Sequence, residues 1–419
     1  MRRDIIGMSQ RERQRYHLLK MVLESKITLK QASSVIGVSY RHGKRLKRKL
    51  ATEGARGLVH GNRGRPSARA LNPELAKRII GLSQKTYTTF NDTHFTEKLS
   101  EVEGITVSRD TVRRLRRANG ITAKRKRRAK KHYQRRPRSH QEGMMMLWDG
   151  SPHRWFGKDK APCCLMAAID DATSKLLDAF FIPYECSFGY LKLLEHVVTR
   201  YGIALSIYQD RHSTLHRNDD NWTLDEQLKG EQDPTQVGGV LQALGISPIF
   251  ALSPQAKGRI ERLFGVLQDR LIAEMGLRNI TEIPAANTFL TEHFIDEHNR
   301  RFAIKPQGAQ RAWRTIPRDV DIKRTISFRY QAVVGNDNAV RLGGMVIDIP
   351  EGPHRRGYAK ARVEVRQLLD GSWRVYYRDT LIAHTDPTPL QEPIRAKRRR
   401  KSHVRAASDE RWVYMASAV

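Results

Sequence analysis

The spacing of apolar positions changes along the chain, and each change marks an element. Residues 9–60 carry helical spacing: an amphipathic stretch from Arg11 to Glu24, then Ile27 to Ala32, then Ile36-Gly37-Val38-Ser39, then a basic helix from Tyr40 to Leu50. Thr28 and Ser39 are placed to cap successive helices, and Gly37 supplies the tight turn between them. Residues 72–122 repeat the theme, with helices over 73–84 and 91–103, Ser108 as a cap, and an arginine-rich helix from Arg109 to Arg117. From Met144 the pattern shifts to short apolar runs. Strands are predicted over 144–148, 165–169, 176–182, 204–208 and 247–252, with helices over 188–201, 237–244 and 257–275. A further helix ends near Arg301. From Ile326 the alternation is strand-like, broken by turns at 335–337, 343–344 and 370–371, which predicts a small C-terminal β-barrel over 320–390.

Three strands, a helix, a strand, a helix, a strand and a helix is the order of a ribonuclease-H-like fold. In that order the first and fourth strands lie side by side. The chain thus reads as a multidomain α/β protein: helical units over 9–60 and 72–122, a basic linker over 123–139, the α/β core over 140–300, the barrel, and a basic tail over 391–419.

Charge sharpens this picture. Lys and Arg number 76 against 44 Asp and Glu, a net charge of +32, and a polyanion such as nucleic acid is the partner that such a surface needs. Both helical units read as helix-turn-helix modules whose second helix faces DNA. Arg41, Lys44 and Arg45, with Lys47 and Arg48, are the candidates on the first; Arg109, Arg113, Arg114 and Arg117 are those on the second. An ordinary helical hairpin is the alternative for each. Arg63 and Arg65, in Gly-Asn-Arg-Gly-Arg-Pro-Ser, either lie in a narrow minor groove or belong to a solvated linker. The three cysteines (Cys163, Cys164, Cys186) have no zinc spacing and read as reduced residues of a cytosolic protein. No apolar leader and no run of about 18 apolar residues is present, so neither export nor a membrane span is expected.

The core carries the candidate chemistry. Asp149 follows the first strand and Asp210 the fourth, so their carboxylates are expected to converge, and Glu261 lies one turn into the last helix. Phosphodiester cleavage requires an activated nucleophile and a stabilised leaving oxygen, which two divalent ions about 4 Å apart supply, and carboxylates suit Mg²⁺ or Mn²⁺. Competing acids have plainer readings. Asp219, Asp220 and Asp225 fall in a long surface insertion over 211–236, Asp159 on the surface, Asp170 and Asp171 in a turn, and Asp269 reads as a salt-bridge partner. His153 and His212 either contact phosphate or are ordinary exposed histidines. Arg259 and Arg262 either touch DNA or solvate their helix.

Asp149 in Trp-Asp-Gly-Ser, Asp210 in Tyr-Gln-Asp-Arg-His-Ser, and Glu261 in Pro-Gln-Ala-Lys-Gly-Arg-Ile-Glu resemble the three acids of the retroviral integrase superfamily. The chain most resembles bacterial insertion-sequence transposases of the ISNCY group over nearly its whole length. That resemblance implies that Asp149, Asp210 and Glu261 bind two metal ions and that Lys257 touches DNA near them. It further implies 3′-end cleavage and strand transfer on double-stranded DNA, at element ends and target, by an assembly of at least two copies associated with the nucleoid. A departure is the separation from Asp210 to Glu261, 261 − 210 = 51 positions, longer than in compact integrases. A non-catalytic DNA-binding regulator and a nuclease of the same fold are the alternatives. The placement of the acids argues against the first and the paired helical units against the second.

Overall fold

The computed structural model describes residues 6–63, 71–124, 136–217, 219, 222–251, 258–353, 356–388 and 394. The chain divides into two compact units, Met1–Ile79 and Ile80–Val419.

The first unit is built on α1 (Gln10–Leu23), α2 (Leu29–Ile36) and α3 (Tyr40–Glu53) around Leu19, Leu46, Leu50 and Leu58. The expected caps form: the Thr28 hydroxyl accepts from Gln31 N and Ser39 from His42 N, with Gly37 left-handed at φ +71° between α2 and α3. The close approach of these helices also needs Gly43, where an added Cβ would strike the Ser33 side chain. Glu12 completes a capping box with Ser9, accepts from His60 N, and receives the Arg63 guanidinium.

α4 (Pro73–Lys85), α5 (Asp92–Glu101) and α6 (Arg109–Ala118) follow, and Ser108 caps α6 as expected. Five strands then form one sheet: β1 (Met145–His153), β2 (Cys163–Asp170), β3 (Leu176–Ile182), β4 (Ser206–Gln209) and β5 (Ser247–Phe250), in the order β3-β2-β1-β4-β5. β1, β2 and β3 are antiparallel neighbours, whereas β4 runs parallel to β1 and to β5. This is the strand order expected above, with the first and fourth strands adjacent. α7 (Ser187–Tyr201) and α9 (Gln236–Ala243) cover one face with Met146 and Trp148. α10 (Gly258–Leu277) covers the other with Met145, Leu147 and Tyr208, joined by α11 (Ile283–Phe289), a π turn over Leu290–Phe294, and α12 (Ile295–Phe302).

Three expectations need correction. β1 continues four residues past Asp149 because its antiparallel pairing with β2 runs on to His153↔Cys163, so Asp149 lies within the strand. The 211–236 segment is more than a surface loop. It contains α8 (Leu224–Lys229), and the fully buried Glu226 accepts from Thr223 N and Asp233 N and pairs with Arg217. The C-terminal strands do not close a barrel among the described residues. β6 (Phe328–Val333), β9 (Arg362–Gln367), β10 (Trp373–Tyr377) and β11 (Thr380–His384) form an open sheet, β11-β10-β9-β6, and β7 (Ala339–Leu342) pairs only with β8 (Met345–Asp348). Val340 and Ile347 of this hairpin share a core with Val365, Trp373 and Val375, which covers the sheet's apolar face without closure. Apart from Ile394, the basic tail lies outside the described residues. Among the described residues no helix is long and apolar enough to cross a membrane.

Candidate active site

β1 and β4 pair with a constant offset: 206 − 145 = 61 and 208 − 147 = 61. Asp149 and Asp210 are separated by the same offset, 210 − 149 = 61, Asp149 two residues beyond the last paired position of β1 and Asp210 the residue after β4 ends. One residue earlier, buried Trp148 donates from Nε1 to Gln209 Oε1 at 2.9 Å and pins this register. Leu147 and Tyr208 face α10. Both acids are half-buried. Asp210 Oδ1 also accepts from His212 N at 2.9 Å, which turns the chain sharply after β4.

Glu261 lies in the first turn of α10, exposed, while Ile260, Leu263, Phe264 and Leu267 pack that helix against the same sheet face. Two turns on, Gln268 Nε2 stands 3.5 Å from Ser151 Oγ of β1. The structure thus puts Asp149 in β1, Asp210 just past the end of the adjacent β4, and Glu261 in the first turn of α10. Among the described residues, no three His, Cys, Asp or Glu side chains approach closely enough to hold a metal ion. Residues 252–257, with Lys257, lie outside the described residues. Carboxylates with water access are the donor type that suits a divalent cation.

A further carboxylate, Glu185, stands near His212 and Gly150. Glu185 lies just before α7, where a helix N-terminus favours negative charge. Its Oε1 accepts from the fully buried Tyr190 hydroxyl at 2.6 Å and lies 3.9 Å from His212 Nδ1. It lies across Gly150, where a Cβ would come within 2.7 Å of its Cδ. Burial drives the Tyr190 hydroxyl well above its ordinary pKa, reinforced by the charges of Glu185, Asp149 and Asp210. Burial, then Glu185, push the Cys164 thiol to about 12. The sequence reading passed over Glu185; its one signal was an acid at a helix start.

Asp170 and Asp171 do more than form a turn. Both are fully buried. Asp170 accepts from Gly143 N at 2.8 Å and from Thr173 N and Oγ1, and burial raises its pKa. Burial would raise that of Asp171 as well, but Arg136 at 2.5 Å, Ser139 and Arg259 outweigh it and hold it low. Arg259 is therefore taken up inside the protein. Asp269 is a salt-bridge partner, 2.6 Å from Lys124. Of the competing acids, Asp219 pairs with Arg217 at 3.1 Å, Asp225 is exposed in α8, Asp159 is exposed, and Asp220 lies outside the described residues. His153 is exposed beside the Trp155 ring.

The chain is 33% identical over 398 residues to "Putative transposase y4bF" of Sinorhizobium fredii, an alignment spanning 91% of this chain and 84% of that protein. The chain belongs to the transposase family. It is also 29% identical over 434 residues to "Transposase for insertion sequence IS1202" of Streptococcus pneumoniae, covering 93% of this chain and 91% of the other. No family model matches. A simian T-cell lymphotropic virus intasome chain overlaps 74% of this chain and 100% of its own, at 12% identity and a TM-score of 0.30. The HTLV-2 integrase catalytic core domain, solved with magnesium, overlaps 35% of this chain and 83% of its own, at 14% identity and a TM-score of 0.24.

In this transposase the basic candidates divide into two groups. Arg41, Lys44 and Arg45 are exposed on α3, with Lys44 over the Tyr40 ring at 4.9 Å and Arg45 3.1 Å from His42 Nδ1. Arg109, Arg113 and Arg114 are exposed on α6. Arg117 instead donates to Asp92 at 2.6 Å and to the Ile121 carbonyl, and Arg63 is taken up by Glu12 and the Gly7 carbonyl. Arg65 lies outside the described residues.

Proposed function

We propose that this transposase cleaves the 3′ ends of its element and joins them to target DNA at a site formed by Asp149, Asp210 and Glu261. The observation that carries this reading is the parallel pairing of β1, which bears Asp149, with β4, which leads into Asp210, on a sheet whose one face is covered by α10, the helix that bears Glu261. A divalent cation such as Mg²⁺ or Mn²⁺, when bound, supplies Lewis-acid polarisation of the phosphate and of the attacking oxygen, two ions serving the two sides of the displacement. The rest falls to the chain. Asp149 and Asp210 would hold the cations from the sheet, and Glu261 would complete the set from α10. A water oxygen attacks the terminal phosphodiester and frees a 3′-hydroxyl, which then attacks a target phosphodiester in the same site. α2 and α3, and α5 and α6, act as helix-turn-helix modules that read the element ends, with Arg41, Lys44, Arg45, Arg109, Arg113 and Arg114 facing DNA. Joining two ends requires at least two copies.

Asp149→Asn, Asp210→Asn and Glu261→Gln are each expected to abolish nicking and joining of an end duplex in Mg²⁺ while end binding persists. Joining retained by any one of them removes that residue from the site, and joining retained by all three removes the reading.

A further inference from the structure

A cleft of about 750 Å³ lies between α5, α6 and α10. Arg109 and Arg113 of α6 line one side, Arg262 of α10 the other, and Lys124 the end, over a floor at Gly265 and Val266. The acids at its edge are already engaged. Asp92 accepts from Arg116 at 2.8 Å and Arg117 at 2.6 Å, and Asp269 from Lys124 at 2.6 Å and from Asn91. Arg109 and Arg113 pair with the exposed Asp110, at 4.0 and 3.5 Å, and both are more than half exposed. The cleft therefore presents an excess of accessible guanidinium groups, the donors best matched to phosphate.

Its walls are bolted together. Arg270 makes a two-pronged pair with Glu97 at 2.6 and 2.9 Å, Arg301 reaches Glu97 at 2.8 Å and Glu101 at 2.7 Å, and buried Glu274 takes Lys98 and His94, each at 2.7 Å. α5 and α6 thus cannot swing away from α10 without breaking a network that is largely out of water. Arg262 is the residue after Glu261.

We propose that this cleft grips the phosphate backbone of the element-end duplex and leads it to the acids of the same chain, rather than to those of a second copy. The proposal rests on the catalytic reading above. DNA held by the α6 arginines lies at a fixed distance from Glu261 of its own chain, because one network holds α5 and α10 together and Arg262, the residue after Glu261, continues the cationic lining onto α10.

The test uses the full chain and an end duplex. The triple variant Arg109→Ala, Arg113→Ala, Arg262→Ala is expected to lower the log–log salt slope of binding by about 3, roughly 0.9 for each lost phosphate contact, whereas the triple lysine variant keeps most of it. An unchanged slope in the alanine variant overturns the cleft. The triple alanine variant is then mixed with Asp149→Asn. Delivery within one chain predicts joining no greater than the two proteins give separately. Restored joining in the mixture shows delivery between copies and overturns the proposal. Asp149→Asn that joins by itself would instead bring down the catalytic reading. Asp149→Asn that is inactive beside a triple alanine variant that binds and joins normally would bring down the cleft alone.

Discussion

Replacing Glu274 with glutamine should loosen α5 from α10, and do so in a pH-dependent way. Glu274 is 2% exposed and accepts from His94 Nε2 and Lys98 Nζ, both at 2.7 Å, and from Arg278 Nη1 at 2.5 Å. Burial alone would raise its pKa, but these cationic and hydrogen-bonding partners lower it from 4.5 to about 2. That fall corresponds to roughly 3 kcal/mol, of the order expected when one member of a buried ionic network is removed. Because the folded value lies below the unfolded one, the stabilisation is complete above about pH 4.5 and drains away as the pH falls toward 2. The measurement is hydrogen exchange at the α5 amides in wild type and Glu274→Gln. At pH 7 the loss of roughly 3 kcal/mol in local opening should speed exchange about a hundredfold. At pH 3 less than half of the difference should remain, because the opened Glu274 is then mostly protonated and must give up its proton to close. A difference equal at both pH values, or none at pH 7, would refute the assignment of Glu274 as the ionised centre of this contact.

Three other outcomes follow from single contacts. Gly150→Ala should push the Glu185 carboxylate off β1, because the new Cβ would lie 2.7 Å from its Cδ. If Glu185 supports the neighbouring acids, Glu185→Gln and Gly150→Ala each slow joining and the double variant is no slower than the worse single one; a multiplied loss would separate them. His298 is buried against Phe302, and burial, then Arg270, hold its pKa down at about 4 from 6.5. The unfolded chain therefore takes up this proton first, and stability should fall between pH 6.5 and 4; His298→Gln should flatten that part of the stability–pH curve in urea titrations. Replacing Arg41, Lys44 and Arg45 together by alanine should lower the salt slope of end binding by up to about 3 without shifting the unfolding midpoint of α1–α3, since all three are exposed. A shifted midpoint would mean that they pack rather than bind.

What was legible in the sequence was local or periodic. Thr28, Ser39 and Ser108 announce helix starts because a cap and the N–H it serves lie within three residues. Strands β1 to β4 were legible because strands covered on both faces read as short apolar runs, and the order of strands and helices sets which strands become neighbours. The adjacency of β1, which bears Asp149, and β4, which leads into Asp210, follows from that order. The end of β1 was not legible, because it depends on how far β2 keeps pairing, which the composition of β1 alone does not encode. The barrel expectation failed for a related reason: alternation predicts strands, but closure depends on which edges meet. The Gly343-Gly344 turn, at φ +60° and +88°, instead folds β7 and β8 onto the shared core as their own hairpin.

The charges that proved hardest to read are those the fold has paired at long range. In sequence, Asp171, Glu274, Arg117 and Arg63 look like any of the other charged side chains of a basic protein, and the plain expectation for a charge is solvent or DNA. Each is instead paired across a long separation, Asp171 with Arg136 and Arg259, Glu274 with His94 and Lys98, Arg117 with Asp92, and Arg63 with Glu12. A buried charge is tolerated only when its partner arrives with it, so these positions carry two-body information that a one-dimensional pattern lacks. Glu185 is the instructive case, since its place depends on Gly150, 185 − 150 = 35 residues earlier, leaving room for it. A side chain larger than glycine at 150 would erase that contact while leaving every local signal in the β3–α7 connection unchanged.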